Sequence, residues 1–335
     1  MILIQEAILH FYDATTLSET LSDVRLDIRS DIMVNYLSHH IERGLKDPAA
    51  SHAQFSPNSA VPEKIKSYGK GDIDLVEFSK GIAGLLFGEL RDLGVEENYH
   101  LAVARFNTEI GTPYVALLAL ADKLAFTHQV KADDNGQLAA AFTIHRSIMP
   151  QPTQRIKGYA FINLEDMGIR LCDIKLKYEK ETVLLFEEVV LGCLTEPSSR
   201  ANYRQIRQMT LNVADEYSQD GVEALARAKR FLSDNADNSD IVETTTLAKK
   251  AFPDSIQMQN SFMGEVSYAN LPENLVLEQE FAHKQTATYK LVADGDITIT
   301  IPAEYYQDPD RVDIRMESDG TTTITLRGIE TLTSK

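Results

Sequence analysis

Hydrophobic and polar positions change their period several times along the chain. Residues 1–13 (MILIQEAILHFYD) read as a strand that opens the fold. Between Ile28 and Leu45 the apolar positions Ile32, Tyr36, Leu37, Ile41 and Leu45 recur at helical spacing, with Asp and Arg between them. A loop rich in Pro, Ser, Asn and His is expected over roughly 47–62. A second helix follows from about Asp72 to Leu93 through Val76, Leu85, Leu86 and Leu90, ending before Gly94. Gly81, Gly84 and Gly88 lie inside it, where close packing against another helix is the simplest expectation.

The pattern then becomes β-like. His100–Ile110 and Pro113–Leu120, separated by Gly111-Thr112, are joined by stretches at Ala139–Ile148, Tyr159–Asn163 and Ile169–Lys177. Together they predict an antiparallel sheet with turns at Asp133-Asp134-Asn135-Gly136 and around Pro150–Pro152. Thr182–Leu194 predicts a strongly apolar helix, stopped by Pro197. From Ser198 to about Asn270 the chain reads as helices, the first capped by Ser198 or Ser199. Breaks are expected near Ser218–Gly221, in the Asp/Asn run 234–240 and at Pro253. Alternation returns from Tyr289 to Leu326, with a hairpin turn at Ser318-Asp319-Gly320.

The fold class predicted is α+β. An antiparallel sheet flanked by helices occupies 1–195, and 196–335 holds a helical region followed by a small β-rich C-terminal portion.

Charge changes the picture more than composition does. The 335 residues carry 33 basic and 50 acidic side chains, a net charge of −17, unevenly spread. Residues 1–149 hold 13 basic and 20 acidic (−7), 150–250 hold 14 and 16 (−2), and 251–335 hold 6 and 14 (−8). An anion-binding surface is therefore expected in the middle. Two cysteines, Cys172 and Cys193, make no disulfide framework and suit a reducing cytosol. The N-terminus lacks a basic region and Glu6 interrupts its apolar run, unlike a signal peptide. The longest apolar stretch, Tyr114–Ala121, falls short of the ~20 residues a bilayer span needs. A cytoplasmic protein with no membrane partner is expected.

Catalytic signatures are missing from the sequence, and an enzyme is not expected. No G-x-G-x-x-G, G-x-S-x-G or H-E-x-x-H occurs, and Gly69-Lys70-Gly71-Asp72 lacks the spacing of a phosphate-binding loop. His39 and His40 are adjacent, so on a helix they point about 100° apart and cannot chelate one ion. Asp234, Asp237 and Asp240 lack the Gly and terminal Glu of a calcium loop. No cofactor or metal is expected.

A basic face stands out against this background. Arg200, Arg204 and Arg207 fall within about 60° on a helical wheel, and no acid lies between Pro197 and Asp215. Tyr203, Ile206, Met209, Val213 and Tyr217 occupy another face, so the arginines should point outward. In the next helix Arg227 and Arg230 share a face, with Lys229 able to snorkel from its edge. Five or six cations side by side could follow a phosphate backbone, where affinity comes from counterion release summed over contacts. The bland alternative is a solvated face paired with Asp215, Glu216 or Glu223. No aromatic-rich platform accompanies the cations, so single-strand stacking is not favoured.

The order of segments resembles the bacterial nucleoid-associated proteins often called NdpA-like, over nearly the whole chain. The matching segments are Ile8-Leu9-His10, then Phe78-Ser79-Lys80 through Leu90-Arg91, and the apolar strand pair around 99–122. The last is Ile297–Ile301 with Asp308-Pro309 and Thr323–Gly328. Ala201-Asn202-Tyr203-Arg204 is the matching piece nearest the arginine face. The resemblance implies a non-enzymatic protein of the cytoplasm and nucleoid, associated with double-stranded DNA directly or through a DNA-bound protein partner. Family members often carry a Gly/Arg/Lys-rich stretch before the apolar helix. Here that place reads Tyr178-Glu-Lys-Glu-Thr-Val183, with Glu187-Glu188 inside the helix.

Two functions are therefore expected in order. The first is sequence-nonspecific DNA binding through Arg200, Arg204, Arg207, Arg227, Lys229 and Arg230. The second is an adaptor without DNA affinity whose acidic ends meet a basic partner. A homodimer is compatible with both, being the commonest assembly among soluble oligomers.

Overall fold

The computed structural model describes residues 2–132, 136–178, 181–331 and 333. The fold is α+β, and the chain divides into two compact units, Met1–Pro197 and Ser198–Lys335.

In the first unit β1 (Leu3–Asp13), β2 (Ser18–Thr20), α1 (Asp31–Leu45), β3 (Ser51–Phe55), α2 (Val61–Lys70) and α3 (Leu75–Asp92) come first. Then follow β4 (Tyr99–Asn107), β5 (Pro113–Ala121), β6 (Lys123–Ala132), β7 (Leu138–Ile148), β8 (Gly158–Asn163) and β9 (Ile169–Cys172). The unit closes with β10 (Lys175–Tyr178), β11 (Glu181–Leu184), a π-helical turn at Leu185–Leu191 and β12 (Cys193–Thr195). Eight strands form one antiparallel sheet in the order β12-β3-β9-β8-β5-β4-β1-β2.

Both faces of this sheet are covered. Ile8, Leu101, Val103, Val115 and Leu117 pack under α2, α3 and the π-helical turn. Ala102, Ala104, Phe106, Leu118, Tyr159 and Phe161 pack under Leu37 and Ile41 of α1. A strand apolar on both sides reads as a continuous apolar run, which is why β5 (PYVALLALA) shows no alternation. On β1 an irregularity between Ile4 and Glu6 shifts the register, so Ile4 belongs with the α1 side and Ile8 with the α3 side.

Three expectations need correction. The apolar run 182–194 is helical only in its middle, at Leu185–Leu191. Lys175–Tyr178 pairs with Glu181–Leu184 as a hairpin, and Cys193–Thr195 pairs with β3, so strand pairing claims both ends of the run. What stays helical is the seven-residue π turn, whose Phe186 and Glu187 N–H groups donate to the Asp173 carboxylate at 2.8 Å. Burial raises the pKa of Asp173, against the pull of these N–H donors. The loop placed at 47–62 contains β3 and the start of α2, because Ser51–Ala53 pairs with Ile169–Leu171. The turn expected at Asp133-Asp134-Asn135 lies outside the described residues.

The glycines of α3 are the third correction. A methyl group at Gly84 would meet nothing within 4 Å, and at Gly81 and Gly88 only the tips of Lys64 and Arg91. Close approach belongs instead to Gly44 of α1, where a Cβ would sit 2.6 Å from the Phe161 ring.

The second unit contains α4 (Ser199–Glu216), α5 (Gly221–Ala236), β13 (Ile241–Glu243), α6 (Thr244–Ala251), α7 (Ile256–Tyr268), β14 (Asn274–Val276) and α8 (Gln279–Thr286). It continues through β15 (Thr288–Ala293), β16 (Ile297–Pro302), α9 (Ala303–Tyr306), β17 (Val312–Met316) and β18 (Thr322–Leu326). Ser198 caps α4, Asp220 caps α5 and Ser255 caps α7, each accepting backbone N–H groups that lack an intrahelical partner. Ile206, Met209 and Val213 of α4 join Ala224, Ala228 and Leu232 of α5, Leu247 of α6 and Phe262 of α7 in one core. β13 pairs with β14 across α6 and α7, and the later strands form hairpins, β15 with β16 and β17 with β18.

Inside the first unit His10 bridges β1 and α3 with no exposed surface. The backbone N–H of Ser22 donates to its Nδ1 at 3.0 Å, so Nε2 carries the proton and donates to Ser79 Oγ at 2.9 Å. Burial, with the Lys80 charge second, lowers its pKa to about 4.

Two expected outcomes follow from this packing. Gly84→Ala should stabilise the chain by about 0.5–1 kcal/mol through helix propensity, and Gly44→Ala should cost about 1–3 kcal/mol by overpacking against Phe161; denaturant melts of the two variants check the opposite signs. His10 is neutral when folded and takes a proton more readily when unfolded, so its contribution is complete above its ordinary pKa and is lost as pH falls from there toward about 4. Between neutral pH and mildly acid conditions near pH 4.5, about 2–3 kcal/mol of stability should disappear, and His10→Gln should flatten that slope.

Candidate nucleic-acid interface

The basic residues singled out in the sequence lie on α4 and α5, which pack against each other through small and apolar side chains. Burial of Ile206, Met209 and Val213 on one side of α4 turns Arg204 and Arg207 outward, and both are exposed. Arg230 of α5 is exposed as well. Among the described residues, none of these three guanidinium groups forms an ion pair. Arg200, in the first turn of α4, is half-buried and already engaged.

The other two cations are committed to local partners. Arg227 donates to Glu223 at 2.7 Å and to the carbonyl of Ala251 at 2.9 Å, which ties α5 to the end of α6. Lys229 donates to the carbonyl of Thr288 at 3.0 Å and lies over the Tyr289 ring, 5.1 Å from its centroid. Snorkelling of Lys229 along the helix edge thus ends on the β15–β16 hairpin. Burial, and then the neighbouring charge of Arg207, lower its pKa. That mutual influence places Arg207 of α4 beside Lys229 of α5.

Tyr289 organises this corner, and the sequence carried no signal for it beyond strand alternation. The ring is 5% exposed, stacks on Tyr306 at 4.0 Å between centroids, and its hydroxyl donates to the carbonyl of Ala226 at 3.2 Å. Burial raises its pKa, with the Arg230 charge acting against the rise and Asp234 adding to it. Lys229 and Arg230 therefore flank one buried tyrosine, and Arg207 lies beside Lys229. Asp234 on one side, and Asp220 and Glu223 near Tyr306, border the cations. Since Tyr289 is covered, it offers no open face on which a base could stack.

The acids noted in the apolar segment serve the fold. Glu187 accepts the Thr195 hydroxyl at 2.8 Å, and Glu188 accepts the N–H of Leu184 at 2.9 Å. Near the C-terminus a groove of about 430 Å³ between β16, β17 and β18 is lined by Arg311 and Arg327. Both cations are paired there, Arg311 with Asp308 and Arg327 with Asp313, so the groove offers no free anion seat.

The arrangement closest to a nucleophile and base is His10 with Ser79. The proton on His10 Nε2 points at Ser79 Oγ, and that hydroxyl donates to the carbonyl of Val76 at 3.2 Å. An imidazole donating to the serine cannot take its proton, and both groups are fully buried. The pair is a cross-brace between β1 and α3. Among the described residues no three His, Cys, Asp or Glu side chains are grouped to hold a metal ion, and no helix is long and apolar enough to cross a membrane.

Comparison with known families finds one whose description is nucleoid-associated protein YejK, NA37, matching residues 8–333. A search of the curated proteins finds no match.

Proposed function

This chain belongs to the NA37 family of nucleoid-associated proteins, and on that premise we propose that it binds double-stranded DNA directly, without sequence preference and without catalysis, through the α4–α5 face. The observation that carries the reading is the set of exposed, unpaired guanidinium groups of Arg204, Arg207 and Arg230. In a chain of net charge −17, three exposed cations on two packed helices, with no carboxylate partner among the described residues, stand against the general trend. Phosphate oxygens are the partners whose geometry guanidinium forks fit best.

Roles within the face differ. Arg204, Arg207 and Arg230 contact phosphates, with Arg200 at the start of α4 extending the line. Lys229 holds the β15–β16 hairpin and adds its charge from below, while Arg227 positions α5 through Glu223 and Ala251. Contacts of this kind fix a protein on the duplex and read no bases. The bordering acids Asp220, Glu223 and Asp234 keep the footprint small, so modest affinity with a modest salt slope is expected.

Fluorescence anisotropy of a random-sequence duplex tests this. With roughly three phosphate contacts, affinity should fall about 40-fold between 50 and 200 mM salt. Replacing Arg204, Arg207 and Arg230 together by Ala should weaken binding and remove most of that dependence. Unchanged binding in the triple variant sinks the site, and no binding at low salt would mean that a DNA-bound protein provides the link to the nucleoid.

A further inference from the structure

We infer that the β6–β7 ribbon is a dimerisation element, which packs face to face against the same ribbon of a second copy of this chain. The two strands pair with each other over Lys123–Ala132 and Leu138–Ile148, and nearly every described residue along them is exposed. Among the described residues, no strand of the eight-stranded sheet pairs with them. A lone two-stranded ribbon is marginally stable in water and gains independent stability only when an apolar face is covered.

The register defines that face. Phe126 lies opposite Ile144, His128 opposite Phe142, Val130 opposite Ala140 and Ala132 opposite Leu138. Alternation puts all of these on one side, whereas Thr127, Gln129, Lys131, Ala139, Ala141 and Thr143 share the other. On the apolar side Phe126 is 66% exposed, Leu138 78% and Phe142 87%, with Val130 and Ile144 about half exposed. This amounts to roughly 600 Å² of contiguous apolar surface, at the upper end of what a monomer leaves open.

The size and charge of the surface select the occupant. Two such faces packed together bury roughly 1,200 Å², the lower bound for a stable specific interface. The described residues of the apolar face carry no carboxylate and no lysine, and Lys131 stays on the outer side, so the contact desolvates no lysine or carboxylate. One patch meeting itself about a two-fold axis is the isologous contact that closes a dimer.

Light scattering after size exclusion, on the full chain at roughly 1–100 µM, tests the inference. The expected molar mass is twice the 37.4 kDa of one chain. Phe126→Ser with Phe142→Ser should halve it while leaving the melting transition of the body in place, because both side chains are already exposed. Phe142→Leu should keep the dimer, as should Ile110→Glu, a change at another exposed apolar position away from the ribbon. A wild-type chain that stays monomeric across that range overturns the inference, whether its ribbon is bare or covered by its own chain. So does a dimer that persists in the double serine variant.

Discussion

A sheet whose central strands are apolar on both sides must be covered twice, and that requirement orders the first unit. Val115 and Leu117 of β5 face α3 and the π-helical turn, while Ala116 and Leu118 face α1. Each fully buried Leu, Val or Phe side chain contributes about 1.5–3 kcal/mol, so neither layer can be left off without losing much of the core. The local devices serve the same end. The shift at Ile4/Glu6 lets β1 supply both faces, Gly44 lets α1 reach Phe161, and Asp173 holds the π turn that closes the opposite layer.

The second unit follows a different logic. Its helices bury one apolar stripe each, so their other faces are free to carry charge. On α4 the spacing of Ile206, Met209 and Val213 dictates where Arg204 and Arg207 must point. On α5 the outward face is shared between structure and surface. Arg227 and Lys229 are drawn into bonds with Glu223, Ala251 and Thr288, and only Arg230 remains exposed without an ion pair. The result is a small cationic corner, with Lys229 and Arg230 at Tyr289 and Arg207 beside Lys229, rather than a long stripe. Its small size accords with a chain whose overall charge opposes polyanions.

Much of this could be read from residue order. Helical spacing located α1, α3, α4 and α5, capping residues placed the start of α4, and alternation found β4, β8 and the final hairpins. Failures occurred where distant pairing overrode local pattern. The apolar run 182–194 looked helical because nothing local reveals that β10 and β3 claim its ends. β3 was invisible as a five-residue strand inside a Pro/Ser/Asn-rich stretch, and its partners lie more than a hundred residues away. The glycines of α3 were given to close packing by their spacing, but spacing does not say which face is covered. At the basic corner the outward set on α4 was legible. The commitment of Arg227 and Lys229 was not, since it depends on the end of α6 and on the β15–β16 hairpin. The stretch Ala139–Ile148 was legible as a strand, but it pairs with β6 in a separate ribbon and not in the large sheet, which no local pattern reveals.

Exposed guanidinium groups of α4 and α5 that touch DNA phosphates must be shielded when a duplex binds. Arginine-selective labelling of the full chain, with and without a duplex and read by mass spectrometry, asks this of each side chain directly. The expected result is protection of Arg204, Arg207 and Arg230, with Arg29 and Arg315, exposed elsewhere, labelled equally in both states. Equal labelling of Arg204 and Arg207 with and without DNA, under conditions where the duplex is bound, would contradict it.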